Sequence, residues 1–430
     1  MNKKRLVALL MCAALAAGSV AGLAGCNKDD GAVRLTVWGS ASQQDTLKQM
    51  VADFKAANPE TKYNITVGLG EEEFAYENVQ RDPEAAADVF SYPSDQLIPL
   101  LRIGALARLG GDNLAEVKAN NSADSVEAGS IDYGTADEKV YGYPFAADNG
   151  YFMYYDKSVV SESDTETLEG IISACERESE RKSKKIAWAI DTAFYTAGWF
   201  FTFGCSYSVD YDYSANYKET VDIDFNNEGG IKASKAMAKL ANSSAFAGKG
   251  TSNATITDGF KTHSLAVAVS GNWNAKAIQE ALGKDYGVCK LPTVEVDGEA
   301  KQLYSFKGYK YFGVNAYSKN RVEAHKLAAF LANEKNQETR FKKSLTGPTN
   351  TAVANLDEVK TDATIMALNA QNAFTVKQKA VPTTFWSPVG SYGLNIIDKL
   401  VLETVPEGDK NHISYQTQLN TMVNKIKGNA

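Results

Sequence analysis

The sequence predicts an α/β protein of two lobes, each a mixed sheet covered by helices. Length is the first reason, because 430 residues exceed what one hydrophobic core usually supports. The order of the first elements is the second reason. An alternating strand at 34–38 precedes an apolar helical repeat at 47–54 and a second strand at 63–67. Such a β-α-β opening is typical of a sheet whose faces are covered by helices.

The later elements repeat this pattern. Short apolar or alternating segments bounded by Gly, Pro and polar residues predict strands, and these fall at 88–92, 139–144, 150–155, 265–269 and 309–314. Helices are predicted between Leu97 and Gly104, over the highly charged residues 164–185, and over an amphipathic tail ending near Ile426. The chain has no internal repeat and no low-complexity linker. We therefore expect several short crossings between the lobes, which act as a hinge.

The first 26 residues have the pattern of an export signal. A basic start, an apolar core at 6–21 and the segment Leu23-Ala24-Gly25-Cys26 favour a secretory leader over a membrane span, because the core is too short to span. The spacing up to Cys26 resembles the lipobox of bacterial lipoproteins. It predicts a signal peptide at 1–25, a lipid on Cys26 and a tether at 26–33. A plain leader with an incidental cysteine is the alternative.

Charge and cysteine content narrow the function classes. The net charge is −7 and becomes −10 when Lys3, Lys4 and Arg5 leave with the signal, which argues against a nucleic-acid partner. Three further cysteines remain, without a CxxC pair, and three histidines lie far apart. A disulfide framework, a metal site and a cofactor are therefore not expected. The predicted protein touches the membrane only through its lipid anchor.

Large aromatic residues recur beside amide, hydroxyl or carboxylate residues at the predicted strand ends. The candidate binding residues at these positions are Trp38, Ser40, Tyr92, Asp95, Asp148, Trp273 and Trp386. A sugar ring has an apolar C–H face that packs on aromatic rings. Its hydroxyls need fixed partners, since an unpaired buried polar group costs roughly 1–3 kcal/mol. This combination of side chains favours a carbohydrate ligand.

Several segments, taken in order, resemble one known family. They are 34–38 (RLTVW), 87–90 (ADVF) with 104–106 (GAL), 140–146 (VYGYPFA), 154–157 (YYDK), 270–273 (SGNW) and 384–386 (TFW). The sequence is similar to the extracellular solute-binding proteins of sugar ABC transporters, most closely the maltodextrin-binding type. The resemblance runs from about residue 34 to the C terminus. It implies a class II periplasmic-binding-protein-like fold with a multi-segment hinge.

The resemblance also implies domain boundaries and residue roles. The first lobe comprises 34–146 and 307–350, and the second comprises 147–306 and 351–430. In the first lobe, the resemblance implies Trp38 and Ser40 at the cleft edge, Tyr92 as a stacking ring and Asp95 as a hydroxyl-binding acid. It places Asp148 beside the lobe crossing. In the second lobe, it implies Phe194 or Tyr195 as a stacking ring and Trp273 and Trp386 as the two stacking tryptophans.

Three positions depart from the family pattern. His263 replaces a glycine before the 265–269 strand, Gln96 replaces a basic residue after the binding acid, and Gly390 stands where maltodextrin binders tend to carry a basic residue. These departures leave the identity of the sugar and its chain length open.

The predicted function is capture of an oligosaccharide, a malto-oligosaccharide or other α-glucan, for delivery to ABC transporter permease subunits. The protein is predicted to be a monomer without enzymatic activity, on the extracellular face of a Gram-positive cell membrane. A glycoside hydrolase using Asp95 and Asp148 is one alternative. A binding protein for another sugar, peptides, polyamines or iron is the other, with the tandem tyrosines Tyr154 and Tyr155 as candidate iron ligands.

Overall fold

The computed structural model describes residues 31–133, 139–177 and 185–428. These residues form a two-lobed α/β molecule with one central sheet in each lobe. The predicted signal peptide at 1–25, the lipidation residue Cys26 and most of the tether lie outside the described residues. Within the described ranges, no helix is both long enough and apolar enough to cross a membrane.

The strands are numbered in chain order. They are β1 Val33–Gly39, β2 Tyr63–Leu69, β3 Val89–Pro93, β4 Ser130–Ile131, β5 Lys139–Val140, β6 Tyr143–Ala146, β7 Phe152–Asp156, β8 Lys185–Ala187, β9 Tyr207–Asp212, β10 Lys218–Ile223, β11 Leu265–Ser270, β12 Tyr286–Cys289, β13 Thr293–Val296, β14 Glu299–Gln302, β15 Ser305–Lys307, β16 Lys310–Val314, β17 Thr375–Lys377, β18 Val401–Leu402 and β19 Ile413–Ser414.

The α-helices are numbered in the same way. They are α1 Gln44–Ala57, α2 Ala75–Val79, α3 Leu97–Arg102, α4 Gly111–Asn120, α5 Ala123–Ala128, α6 Leu168–Arg177, α7 Ala193–Thr202, α8 Glu228–Ala241, α9 Asn253–Lys261, α10 Ala275–Leu282, α11 Arg321–Leu331, α12 Glu334–Ser344, α13 Thr351–Ala354, α14 Asp357–Lys360, α15 Ala363–Gln371, α16 Trp386–Ile397 and α17 Tyr415–Ile426.

The first sheet has the strand order β2-β1-β3-β16-β6. β1 pairs in parallel with β2 and β3, whereas β16 returns from late in the chain and runs antiparallel to β3 and β6. One face packs on the apolar sides of α1 and α11 through residues such as Phe54 and Leu327. The parallel strands place the turns after β1, β2 and β3 at one edge of the sheet.

The second sheet has the order β12-β7-β11-β8, with β7 antiparallel to β11 and β12 and β8 parallel to β11. β7 and β11 are buried along their whole length, because helices and loops cover both faces. Tyr155 contributes to the core on one face and Tyr154 to the core on the other.

Crossing segments meet around Gly308, which lies between β15 of the second lobe and β16 of the first. Asn149 Nδ2 donates to Gln378 Oε1 at 2.5 Å, and Ser94 Oγ donates to the Gln378 carbonyl at 2.7 Å. A Cβ on Gly308 would stand only 2.9 Å from Gln378 Oε1. The crossing between the lobes therefore consists of several closely packed chain segments. The exact lobe boundaries stay predictions.

Most predicted elements are confirmed, with two corrections. The charged helix predicted at 164–185 is wrong at its end: α6 ends at Arg177, residues 178–184 lie outside the described ranges, and Lys185 begins β8. Ile186 and Ala187 are buried beside β11, so sheet pairing overrides the charge pattern there. The strand predicted at 139–144 is two strands, β5 and β6.

No disulfide bond joins the three cysteines of the described ranges, Cys175, Cys205 and Cys289. Cys175 and Cys205 are buried among apolar side chains.

Candidate functional site

The second lobe presents a row of aromatic rings, here called the aromatic floor: Trp273, Phe194, Phe306 and Trp386. Phe194 lies 6.3 Å from Trp273 and is stacked on Phe306 at 5.8 Å, and Phe306 lies 6.0 Å from Trp386, between ring centroids. Trp273 follows the carboxyl end of β11, while Phe194 and Trp386 stand in the first turns of α7 and α16. Phe194, Trp273 and Trp386 are half-buried, so each keeps some ring surface accessible.

Trp273 is held in place by the start of α9. Its indole Nε1 donates to Asn253 Oδ1 at 3.0 Å, and Asn274 Nδ2 donates to the same oxygen at 3.2 Å. Asn253 is the first residue of α9, which Ser252 and Thr255 cap through reciprocal hydrogen bonds. The hydrogen bond to Asn253, at the capped start of α9, therefore fixes the orientation of the Trp273 ring.

An open cavity of about 500 Å³ lies beside the aromatic floor. Phe194 and Trp386 line it together with Asp191, Thr192 and Gly390. A Cβ on Gly390 would stand 3.2 Å from the Asp191 carbonyl oxygen. Glycine at this position therefore lets α16 approach the start of α7 closely, and it leaves the cavity without a cation at that point.

Four charged side chains, here called the charged cluster, face the aromatic floor from the first lobe and from the lobe crossing: Glu72, Lys310 and Arg340 of the first lobe, and Asp148 beside the crossing. Lys310 Nζ lies 3.4 Å from a Glu72 oxygen and 3.5 Å from Asp148 Oδ1. The same ammonium lies 5.4 Å from the centroid of the Trp273 ring. Because Lys310 begins β16 of the first sheet and Trp273 follows β11 of the second, this contact joins the two lobes.

For both Lys310 and Asp148 in the charged cluster, burial shifts the pKa in one direction and neighbouring opposite charges shift it in the other. Burial disfavours the charged form of Lys310, but the carboxylates of Asp148 and Glu72 outweigh it, so the pKa of the ammonium is raised. Burial raises the pKa of Asp148, and Lys310 only partly offsets that effect. Burial also lowers the pKa of Arg340 to about 10. At neutral pH both cations stay charged.

Arg340 keeps unused hydrogen-bond donors. Its Nη1 donates to Gln43 Oε1 at 2.9 Å, and the guanidinium carbon lies 4.8 Å from the Phe145 ring centroid and 5.2 Å from that of Phe312. Its Nε and Nη2 are buried without a hydrogen-bond partner among the described residues. Since a buried polar atom without a partner is costly, these two donors are candidates for hydrogen bonds to a ligand.

Unused acceptors stand on both sides of the lobe contact. Asp148 Oδ1 beside the lobe crossing and Asn272 Oδ1 in the second lobe are buried and have no hydrogen-bond partner in the described part of the chain. The 3.5 Å approach of Lys310 to Asp148 is an ion pair rather than a short hydrogen bond. The arrangement offers apolar rings, fixed donors and fixed acceptors, which is what a polyhydroxylated ligand requires.

The acidic turn of this site was missed in the sequence. Glu72 lies in a single 3₁₀ turn, Glu72–Phe74, directly after β2. Gln96 braces that turn, because its Nε2 donates to the Glu73 carbonyl at 2.6 Å and its Oε1 accepts from the Tyr76 amide at 2.7 Å. The run of three glutamates at the carboxyl end of a predicted strand was the available signal. No comparable sequence signal marked Lys310 or Arg340 as part of the site.

The structure places the other predicted residues of the first lobe as follows. Trp38 packs against the backbone of β2, where a Cβ on Gly68 would stand 2.7 Å from the indole ring. Ser40 is buried and precedes the turn that carries Gln43, the partner of Arg340. Tyr92 is wholly buried, with its ring stacked on Tyr311 at 5.4 Å. No surface of Tyr92 is open to a ligand in this conformation.

Asp95 lies beside the β9–β10 hairpin of the second lobe, with Tyr207 and Glu77 as ionisable neighbours. Its Oδ1 is enclosed and has no hydrogen-bond partner within the described ranges. Burial raises the pKa of this carboxyl to about 7. Tyr195 is half-buried, and its ring lies 5.2 Å from Phe194 at the edge of the aromatic floor. The structure thus groups Asp148, Phe194, Tyr195, Trp273 and Trp386.

The tandem tyrosines do not converge on an ion. Tyr154 and Tyr155 point to opposite faces of β7, and the Tyr154 hydroxyl donates to the Gly271 carbonyl at 2.9 Å. Among the described residues, no cluster of three His, Cys, Asp or Glu side chains could hold a metal ion.

Two sheet-bearing lobes with a polar and aromatic site where they meet define the class of two-lobed solute-binding proteins. The comparison with known families agrees. Residues 49–367 match the family described as bacterial extracellular solute-binding protein, and the chain belongs to this family. The resemblance and the fold class predicted from the sequence are confirmed.

Individual relatives match along most of the chain. The galactooligosaccharide-binding protein of Bacillus subtilis strain 168 is 28% identical over 367 residues, which cover 83% of each chain. The maltooligosaccharide ABC transporter solute-binding lipoprotein of Streptococcus pneumoniae TIGR4 is 24% identical over 366 residues, covering 82% of this chain and 81% of that one. A chain solved with acarbose has a TM-score of 0.78 at 28% identity, covering 93% of this chain and 99% of the other.

Proposed function

We propose that this protein binds a neutral oligosaccharide between its lobes and delivers it to an ABC transporter. The observation that carries the proposal is the meeting of the charged cluster and the aromatic floor at the Lys310–Trp273 contact. Ligand contacts from both lobes are what a two-state binding protein needs, because only such contacts favour the closed form over the open one.

Each part of the site suits one part of a sugar. The C–H faces of the rings would pack on Phe194, Trp386 and the exposed part of Trp273. The hydroxyls would accept from the Arg340 donors and donate to Asp148 Oδ1 and Asn272 Oδ1. Trp38 and Ser40 stay predictions for the cleft edge. Tyr92 and Tyr195 stay predictions for stacking rings, and Asp95 for a hydroxyl-binding acid.

The first candidate sugar is a malto-oligosaccharide, supported by the pneumococcal relative and by the acarbose-bound chain. A galacto-oligosaccharide is the second candidate, supported by the 28% identical relative from Bacillus subtilis. Isothermal titration against maltotriose, maltotetraose and a β-galactotriose separates them. A Kd at least tenfold lower for the maltose series is expected, and the opposite order would reassign the sugar. Absence of binding to either series, with binding to a peptide, spermidine or ferric citrate, would refute the sugar proposal.

We infer no cleavage of the bound sugar. Glycoside hydrolysis by the candidate pair Asp95 and Asp148 needs one free acid and one free base or nucleophile, whereas Asp148 is engaged by the Lys310 ammonium. Prolonged incubation with maltotetraose and chromatography should show no shorter sugars. Their appearance, and its loss in Asp148→Asn, would establish a hydrolase instead.

The remaining parts of the proposal concern location and assembly. The lipobox-like segment at Cys26 supports a lipid anchor on the outer face of a Gram-positive membrane, where a tethered monomer keeps the permease supplied with sugar. Labelling cells with a radioactive fatty acid should mark the wild-type protein and leave Cys26→Ala unlabelled. An equally labelled Cys26→Ala variant would contradict the anchor.

A further inference from the structure

Lys310 stands in surroundings that suit a ligand ammonium group. Two carboxylates, those of Glu72 and Asp148, flank its Nζ at 3.4 and 3.5 Å, and the face of Trp273 lies 5.4 Å away. Carboxylates combined with an aromatic face are the usual means by which proteins bind organic cations. Here the cation belongs to the protein itself.

The lysine also balances the charge of the site. The charged cluster contains two acids and two cations, so its formal charge is zero. Glu72 and Lys310 have side chains about 14% exposed, and that of Asp148 is 3% exposed. Charges held this far from water interact more strongly than surface charges do. Without Lys310, Arg340 would be the one cation left in the charged cluster beside the carboxylates of Glu72 and Asp148, and the place of the ammonium would be vacant.

We propose that Lys310 is a specificity-determining residue, which fills an ammonium site in the cleft and so makes the protein select neutral oligosaccharides over amino sugars and polyamines. A cationic ligand would meet the Lys310 ammonium as a like charge. It would also find the carboxylates that could compensate it already paired. A neutral sugar needs only hydrogen bonds from the unused atoms of Asp148, Asn272 and Arg340. This inference rests on the proposed oligosaccharide function.

A purely structural role for Lys310 leads to different expectations. If the lysine only stabilised the fold, its removal would lower the unfolding temperature and weaken every ligand equally. If it fills an ammonium site, removal creates a new affinity for amines. The gain of binding, rather than the loss, separates the two roles.

Two variants and one control test the inference. Lys310→Ala removes the ammonium and leaves room for an amine, while Lys310→Met removes the charge but keeps much of the volume. Lys326→Ala is the control, because Lys326 is an exposed residue paired with Glu323 on α11. The probes are n-butylammonium, maltotriose and the fully deacetylated glucosamine trimer, at a pH where the amines are charged.

The expected results are specific. Millimolar n-butylammonium raises the unfolding temperature of Lys310→Ala by several degrees, and it leaves wild type, Lys310→Met and Lys326→Ala unchanged. The ratio of affinities for the glucosamine trimer and maltotriose rises at least tenfold in Lys310→Ala and in Lys310→Met, relative to wild type. If Lys310→Ala does not fold, the affinity ratio of Lys310→Met carries the test.

The inference is overturned if neither variant gains affinity for amines, or if wild type binds the glucosamine trimer as tightly as maltotriose. Its failure is distinct from failure of the proposed function. If wild type binds no neutral oligosaccharide, the proposed function is refuted. The n-butylammonium measurement, which needs no sugar, still shows whether Lys310 occupies an ammonium site.

Discussion

Trp386 offers its indole to the cavity from a fixed position. Its ring is perpendicular to Phe385 at 5.5 Å and lies 6.0 Å from Phe306, so little side-chain freedom remains to be lost when a ligand packs on it. Aromatic rings held in this way contribute most to binding, because they bury apolar area at low entropic cost.

Replacing this ring gives the first prediction. Trp386→Ala should weaken malto-oligosaccharide binding at least tenfold, or about 1.4 kcal/mol, in isothermal titration. The matched control is Tyr317→Ala, an aromatic residue that is 44% exposed on the first lobe, and it should bind like wild type. Unchanged affinity in Trp386→Ala would remove this residue from the site.

Asp95 gives a prediction about stability and pH. Burial raises the pKa of its carboxyl to about 7 in the folded protein, with Glu77 adding to the shift. Between pH 4 and 7 the unfolded chain releases this proton while the folded protein keeps it. The contribution to stability is therefore fully present below pH 4 and is lost as the pH rises through 7.

The test uses Asp95→Asn. From pH 4 to pH 8, wild type should lose on the order of 2 kcal/mol more unfolding free energy than the variant, measured by urea denaturation at each pH. Parallel pH profiles of the two proteins would show that the carboxyl is not perturbed in the folded state.

Single residues also explain the departures from the family pattern. His263, where the family resemblance implies glycine, has a φ of 54°, in the left-handed region that glycine adopts most easily. Gln96 braces the acidic turn, and Gly390 permits close approach of two helices. The sequence shows which residues depart from the family pattern. It does not show what each residue does in the fold, because that depends on partners far away in the chain.

At the scale of elements, the short turn Glu72–Phe74 shapes the first-lobe side of the site. Its Glu72 reaches Lys310 because the turn directly follows β2 and is tied to Gln96. A single 3₁₀ turn has little stability of its own, so the glutamine side chain does much to fix its position.

Gln96→Ala should therefore weaken sugar binding roughly fivefold, about 1 kcal/mol, the scale of one net hydrogen bond, with the unfolding temperature lowered only slightly. The control is Gln49→Ala, since Gln49 is exposed on α1 and its side chain donates to Asp53. Titration of both variants with the same sugar provides the measurement. Equal affinity in Gln96→Ala and wild type would mean that the turn holds its place without the brace.

The predictability of the elements followed the strength of local signals. The buried strand at 265–269, closed by Gly271, and the amphipathic tail helix α17 were predictable because composition, period and end signals agree there. The charged segment at 164–185 was not. Its last residue, Lys185, pairs with Leu265 of β11, and pairing with a distant strand leaves no mark in local charge.

The candidate site was predictable only where its residues lie next to strong local sequence signals. Trp273 and Trp386 stand at the ends of recognisable elements, and the structure joins them through the aromatic floor. Tyr92 looked similar in sequence, yet its ring is stacked in the core. Lys310 and Arg340 become neighbours only when β16 and α12 return to the first lobe, which no local pattern reveals.

At the scale of the whole molecule, function depends on how the lobes meet. The Lys310–Trp273 contact is one link, and the ion pair between Arg102 on α3 and Glu219 on β10, at 2.8 Å, is another. Because the chain segments that connect the lobes meet around Gly308, we expect any rotation of one lobe against the other to pivot there.

Sugar binding should therefore make the protein more compact. Small-angle X-ray scattering is expected to give a smaller radius of gyration with saturating maltotetraose than without it. Trp386→Ala at the same sugar concentration should show a smaller change. An identical radius in wild type with and without sugar would indicate a rigid, preformed cleft.

The most direct test of the account is isothermal titration of the wild-type protein with maltotetraose, with the sugar recovered and analysed afterwards. We predict saturable binding of one sugar per protein with a Kd of about 10 μM or lower, and recovery of intact maltotetraose. No heat of binding with this or any other neutral oligosaccharide, or recovery of shorter sugars, would contradict the central claim.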